Sequence, residues 1–230
     1  MAATNSGAAK EAGFLRRNGL SLAMFSLFLV FLLAQTISGH LVHNDDLLEH
    51  GQPGISLLQY LATGHFLEAT MENWESEFLQ MGAYVLMTVG LYQRGSSESK
   101  SLTHAEEVDR DPRASRHKPD APWPVRRGGW VLRVYENSLS IAFILLFLLS
   151  FALHLVGGQH TLNETRRLSG ELPVTMREFL GSSEFWFQSF QNWQSEFLAM
   201  GSMIFLSIWL RQRGSPESKP VDAPHAETGE

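Results

Sequence analysis

The sequence predicts an all-α integral membrane protein with four transmembrane helices. They are arranged as two tandem parallel repeats, each with an outer amphipathic helix. Three observations carry this reading. Two runs of 19 residues, Leu20–Ser38 and Ser138–Val156, hold no formal charge, and about 20 residues of helix cross a hydrocarbon core. The two halves of the chain align without gaps at an offset of 119 residues. Of the 18 Lys and Arg residues, 15 fall in alternate segments. With 24 Asp and Glu the formal charge is −6, and the 44% hydrophobic content looks ordinary until its clustering is seen.

Residues 1–17 form a tail with Lys10, Arg16 and Arg17. The run that follows is long for a cleaved leader, and no small-x-small site follows it, so an uncleaved span over about 20–39 is expected. Ser56 and Gln59 have capping-box spacing and announce a helix in the outer loop. A shorter apolar run, Phe78–Tyr92, becomes a span over about 74–93 when extended back to Trp74. Gln93-Arg94-Gly95-Ser96 reads as a helix end, with Arg in the last turn and Gly just past it. These elements make repeat 1, residues 18–95.

Residues 96–129 are rich in Pro, Ser and charge without apolar periodicity, and read as a flexible linker. Repeat 2, residues 130–214, holds spans over about 138–156 and 193–211. Its box is Thr175 with Glu178, and Met176, Phe179, Leu180, Trp186, Phe187 and Phe190 give a surface-lying amphipathic segment. Residues 215–230 are a tail, expected to be disordered over its last dozen residues, as is the first dozen of the chain.

The alignment pairs Asn18–Lys100 with Asn137–Lys219. Positions 73–82 and 91–100 each match at eight of ten residues, and the eight between them match at none. Something specific holds both ends. The basic residues place both termini and the linker on the cytoplasmic side of the cell membrane by the positive-inside rule. Parallel repeats of that kind imply a pseudo-two-fold axis along the membrane normal.

The strings NGLSLAMFSLFLVFLLAQTISG, HGQPG, GHFLEATMENWESEFLQMGAYVL and RQRGSPESK resemble an uncharacterised bacterial family of small four-span membrane proteins, grouped under a domain-of-unknown-function label. The similarity covers about residues 14–219. It implies membrane location and the double repeat, and it carries over no activity and no catalytic residue.

Intramembrane polar groups are costly and therefore mark candidate sites. Gln35, Glu77, His154 and Glu196 are predicted at one depth, as a polar layer that either binds a proton or cation or joins helices by hydrogen bonds. The repeated motif Asn73, Trp74, Ser76 and Asn192, Trp193, Ser195 is expected to turn Trp toward lipid and Asn, Ser and Glu toward protein. Glu68, Glu72 and Glu75 read as a solvated face. His40 and His43 have metal-ligand spacing but no third ligand fixed beside them, so no metal and no cofactor is assigned. The chain has no Cys, which excludes disulfides and thiolate sites. No catalytic or nucleic-acid-binding motif is present.

The functional expectation is a structural or interacting multi-pass protein with no catalytic residues. Its partners are the lipid bilayer and a second copy or another membrane protein. The alternative is a small ion or solute transporter or channel, oligomeric if need be, and the third reading is a membrane-bound metalloenzyme. The topology is testable by labelling. Cysteines introduced at Ser97 and at Asp46 should react with an impermeant maleimide from opposite faces of the membrane, and reaction of both on intact cells contradicts the assignment.

Overall fold

The computed structural model describes residues 13–229, and among these every regular element is helical. The first dozen residues, expected to be disordered, lie outside the described part. The chain divides into two compact units between Phe66 and Leu67.

In the first unit, α1 (Phe14–Glu49) runs for 36 residues, about 54 Å. It overruns the span expected to end near residue 39, because no Gly or Pro interrupts 40–49. Gly51 then turns the chain with φ +70, a conformation that only glycine adopts without strain. The reversal is clamped by Asn44. Its Oδ1 accepts from Ile55 N at 2.8 Å, and its Nδ2 donates to Ile55 O at 3.0 Å. His40 Nε2 reaches the same carbonyl at 2.7 Å. The capping box of Ser56 and Gln59 then starts α2 (Leu57–Tyr60). Tyr60 is buried against Gly39, where a Cβ would overlap its hydroxyl. Burial also raises its phenol above the usual value.

A second start follows at once. Thr63 Oγ1 accepts from Phe66 N at 3.2 Å, beginning α3 (Gly64–Gly90), most of which belongs to the second unit. The 96–129 segment carries two short 3₁₀ turns, Glu107–Asp109 and Pro112–Ser115, and then α4 (Trp123–Arg127). Lys100 Nζ meets Asp109 Oδ1 at 2.7 Å. Ala121, Val125 and Leu132 gather as a small buried cluster under α5 (Gly129–Glu136). α6 (Ser138–Leu168) extends well past the expected limit at 156, to Gly170 at φ +74. α7 (Met176–Leu180) and α8 (Ser183–Leu206) complete the unit.

Matching sequence folds into matching bonds. Asn163 clamps Val174 as Asn44 clamps Ile55, with Val174 N to Oδ1 at 2.7 Å and Nδ2 to Val174 O at 3.0 Å. Gln159 Nε2 takes the part of His40, donating to Val174 O at 2.8 Å. The Thr175–Glu178 box caps α7, and the Thr175 N–H and hydroxyl hold the Glu178 carboxyl below the usual range. Phe179 is buried where a Cβ on Gly158 would lie 2.7 Å from its Cζ.

Several expectations are corrected here. The outer helices are only four and five residues long. Trp186, Phe187 and Phe190 belong to the long α8, because Ser182 Oγ caps a new helix by accepting from Phe185 N. α3 and α8 end before Arg94 and Arg213, so Gly95 and Gly214, at φ +86 and +84, shape loops beyond the helices. At the end of α8, Arg211 instead reaches the carbonyls of Ser207 and Ile208 at 3.0 and 3.2 Å. The tail, expected to be disordered, is held by Lys219, whose Nζ donates to the carbonyls of Pro224, His225 and Glu227 at 3.2, 3.2 and 2.8 Å.

Among the described residues two helices, α1 and α6, are long and apolar enough to cross a membrane. Most large apolar side chains between Leu20 and Leu33, and between Leu139 and Leu149, are exposed. An exposed apolar surface of that size marks a face for lipid or for another protein.

Two of the helical glycines, Gly158 and Gly201, make opposite predictions. At Gly158 an added Cβ meets Phe179, whereas at Gly201 it meets nothing within 4 Å. Gly201→Ala should stabilise by roughly 0.5–1 kcal/mol and Gly158→Ala should destabilise by about 1–3 kcal/mol. Thermal unfolding in detergent decides, and a gain at both positions refutes the packing of Phe179 on α6.

Candidate functional site: a buried carboxylate–imidazole cluster

Within the second unit, α3, α6 and α8 converge on one polar cluster. His154, on α6, is completely buried, and so is Glu75 on α3. His154 Nδ1 stands 3.1 Å from Glu75 Oε2. Its Nε2 stands 3.2 Å from Gln188 Oε1, on α8, and 3.9 Å from Glu72 Oε2. Glu75 Oε1 accepts from Ser189 Oγ at 2.9 Å and from Trp193 Nε1 at 3.2 Å. Gln188 Nε2 donates to Glu68 Oε1 at 2.8 Å. One face of the imidazole lies on Phe185, centroids 4.9 Å apart.

Helical periodicity explains who contributes. Positions 68, 72 and 75 are spaced i, i+4, i+7 and share one face of α3. On α8, Gln188, Ser189 and Trp193 turn toward that face. Gly158, one turn beyond His154, leaves room for the Phe179 ring and for Glu68 Oε1, which would lie 3.1 Å from a Cβ there.

The bond directions fix the chemistry. Gln188 gives its amide N–H to Glu68, so its oxygen faces His154 and Nε2 must carry a hydrogen. The contact from Nδ1 to Glu75 also needs a proton, on one partner or the other. Imidazole and carboxylate therefore form a pair with no net charge. The indole N–H and the serine hydroxyl both donate to Glu75 Oε1, and Oε2 faces His154, so both of its oxygens are engaged. Buried ions demand such partners, because an unpaired charge in a low-dielectric interior costs several kcal/mol.

His154 is the one member of the predicted polar layer found in this cluster. Glu77 is exposed, Glu196 is half-buried, and neither bonds to His154. Gln35 belongs to the first unit. The reading of Glu68, Glu72 and Glu75 as a solvated face is overturned at Glu75, and Trp193 turns its N–H to protein instead of lipid. In the repeated motif, Asn and Ser bond their own helix, and Asn192 also bonds the Glu72 carboxylate on α3. Asn73 and Asn192 donate to the carbonyls four residues back, at 2.8 and 3.0 Å, and Ser76 and Ser195 to those three back, at 2.7 and 2.8 Å. Trp74 is half-buried, with its ring 6.5 Å from that of Phe78.

The histidines of the first unit are arranged differently. His40 is bound to Ile55 O, and His43 packs against Tyr60 and His65 at 5.7 and 5.3 Å between centroids. Among the described residues no group of three or more His, Asp or Glu side chains is placed to hold a metal ion.

Residues 11–230 match a domain of unknown function, DUF6766. The chain belongs to the DUF6766 family. No curated protein and no solved structure matches it. The family assignment names no reaction, so the cluster in this DUF6766 chain is interpreted from its geometry.

A double-mutant cycle tests the pair. Glu75→Leu or His154→Leu alone leaves a buried polar partner and should cost about 3–5 kcal/mol. The double variant should cost less than the sum by more than about 1 kcal/mol. Additive losses in detergent unfolding experiments contradict direct pairing.

Proposed function

We propose that this protein is a four-span membrane protein of the cell membrane, built from two helical repeats, whose role is structural or interacting. Its termini and its 96–129 segment face the cytoplasm. The observation that carries this reading is the His154–Glu75 pair, in which both carboxylate oxygens and both ring nitrogens are bonded to protein groups from three helices. Such saturation suits a device that fixes helix register. The exposed apolar faces of α1 and α6 support residence in lipid. The shared loops and boxes 119 residues apart support the repeat.

A second reading, proton handling by a small transporter, has its own observation. Glu68, Gln188, His154 and Glu75 form a continuous hydrogen-bonded line. Glu72 stands beside it with 19% of its side chain exposed, a route by which a proton reaches the buried pair.

Reconstitution separates the two. Vesicles containing the purified protein and a pH-sensitive dye are given a pH step. The structural reading expects decay no faster than in protein-free vesicles, with His154→Gln indistinguishable from the parent. Rapid decay that His154→Gln abolishes, with the helices still folded by circular dichroism, overturns it in favour of proton transfer.

A further inference from the structure

The two short helices before α6 turn one side inward and leave the other uncovered. Val125 of α4 and Leu132 of α5 point inward and, with Ala121, form the small buried cluster. Gly128 and Gly129, at φ +70 and +63, make the sharp turn that lets both helices share it. On α5, Trp130, Arg133 and Val134 have i, i+3, i+4 spacing and lie on one side of the helix. Trp130 is 76% exposed and Val134 49%. On α4, Trp123 is 58% exposed, and the Arg127 guanidinium lies over its ring, 5.8 Å from the centroid.

The uncovered charge has one sign. Arg126, Arg127 and Arg133 are all exposed, and among the described residues none stands within ion-pair distance of a carboxylate. Glu136 is the only acidic residue of α5, and Arg113 Nη2 stands 4.0 Å from its Oε1. The place of this surface along the chain is fixed as well. α5 passes into α6 through the single residue Asn137. Asn137 Nδ2 donates to Arg133 O and Ser138 Oγ donates to Tyr135 O, both at 2.8 Å, so the joint is bonded back onto α5. Arg133 precedes the first residue of α6 by five positions, about 7.5 Å at helical rise.

We propose that the Trp130, Arg133 and Val134 face of α5, with Arg126 and Arg127 just before it in the chain, docks on the phosphate headgroups of anionic lipid at the membrane surface where α6 enters. The occupant follows from chain continuity and charge. The headgroup layer is about 5–7 Å deep on each side of the hydrocarbon, so a face this close to the start of α6 lies in it or on it. An indole is favoured at that depth, and a guanidinium there meets lipid phosphate, which it bonds with two N–H groups at once. Three unpaired cations select an anionic surface over a neutral one. The inference rests on the reading of α6 as a span and is independent of the role given to His154.

The test uses the full chain in lipid nanodiscs, which leave both membrane faces open to reagents. The chain has no Cys, so a nitroxide can be placed on Val134→Cys, on Leu145→Cys in α6, or on Val108→Cys, which is 78% exposed in the 96–129 segment. Each label is read by its accessibility to oxygen, which dissolves in lipid, and to a nickel chelate, which stays in water. With phosphatidylglycerol in the disc, Val134 should be shielded from the chelate, Leu145 shielded more, and Val108 open. Arg126→Gln, Arg127→Gln and Arg133→Gln together should bring Val134 to the accessibility of Val108, since each arginine is worth about fivefold in affinity for an anionic surface. The same three positions changed to Lys should keep the shielding. Phosphatidylcholine alone should lose it. Val134 as open as Val108, with Leu145 still shielded, overturns the proposal and leaves the span intact. Leu145 open to the chelate overturns both. Shielding at Val134 that survives in phosphatidylcholine alone or in the Gln variant owes nothing to anionic lipid, shows that protein covers the face, and also overturns it.

Discussion

A carboxylate and an imidazole buried side by side set the terms for the second unit. Neither group tolerates an interior without its partner. Once Glu75 is fixed on α3, His154 must face it from α6, and Ser189 and Trp193 must approach from α8 to fill the remaining acceptor sites. A slip of one residue in any of these helices turns a partner away by about 100°. The apolar contacts around the pair, Phe151, Phe179 and Phe185, pack closely but would tolerate several registers. The polar pair selects one.

α1 presents apolar side chains along most of its length without a protein surface over them. In hydrocarbon that is the low-energy arrangement, because the backbone of a helix is satisfied internally. The polar chemistry is correspondingly pushed to the turns. Asn44 and Asn163 clamp the reversals, and capping boxes restart the chain within a few residues.

Much of this was legible in the sequence. Apolar runs located α1 and α6, and the Ser56 and Thr175 boxes located α2 and α7, because caps and hydrophobic length are local signals. Helix ends were harder. α1 and α6 continue through polar residues until a glycine at positive φ stops them, and apolar run length carries no information about that. The cluster was half hidden for a clear reason. Repetition singles out residues that recur, Glu77 and Glu196, whereas the buried pair lies where the halves differ: Glu75 faces Gln194 in the alignment, and His154 faces Gln35. The available signal was the spacing of Glu68, Glu72 and Glu75, one helical face that needs a partner as soon as it is buried. The recurrence of Ser-Glu-Ser-Lys and Pro-Glu-Ser-Lys had no reading from sequence, since Ser99 and Ser218 act by accepting from a backbone N–H six residues back.

The most direct measurement is solid-state NMR of the protein in lipid bilayers, with ¹⁵N in histidine and ¹³C in glutamate. The His154 ring nitrogens, assigned by their loss in His154→Gln, should show a dipolar contact to the carboxyl carbon of Glu75 and none to that of Glu77. Both nitrogens should resist exchange with bulk water, as the burial of His154 requires. A His154 ring in contact with Glu77 or Glu196, or one in rapid exchange with water, would contradict the account.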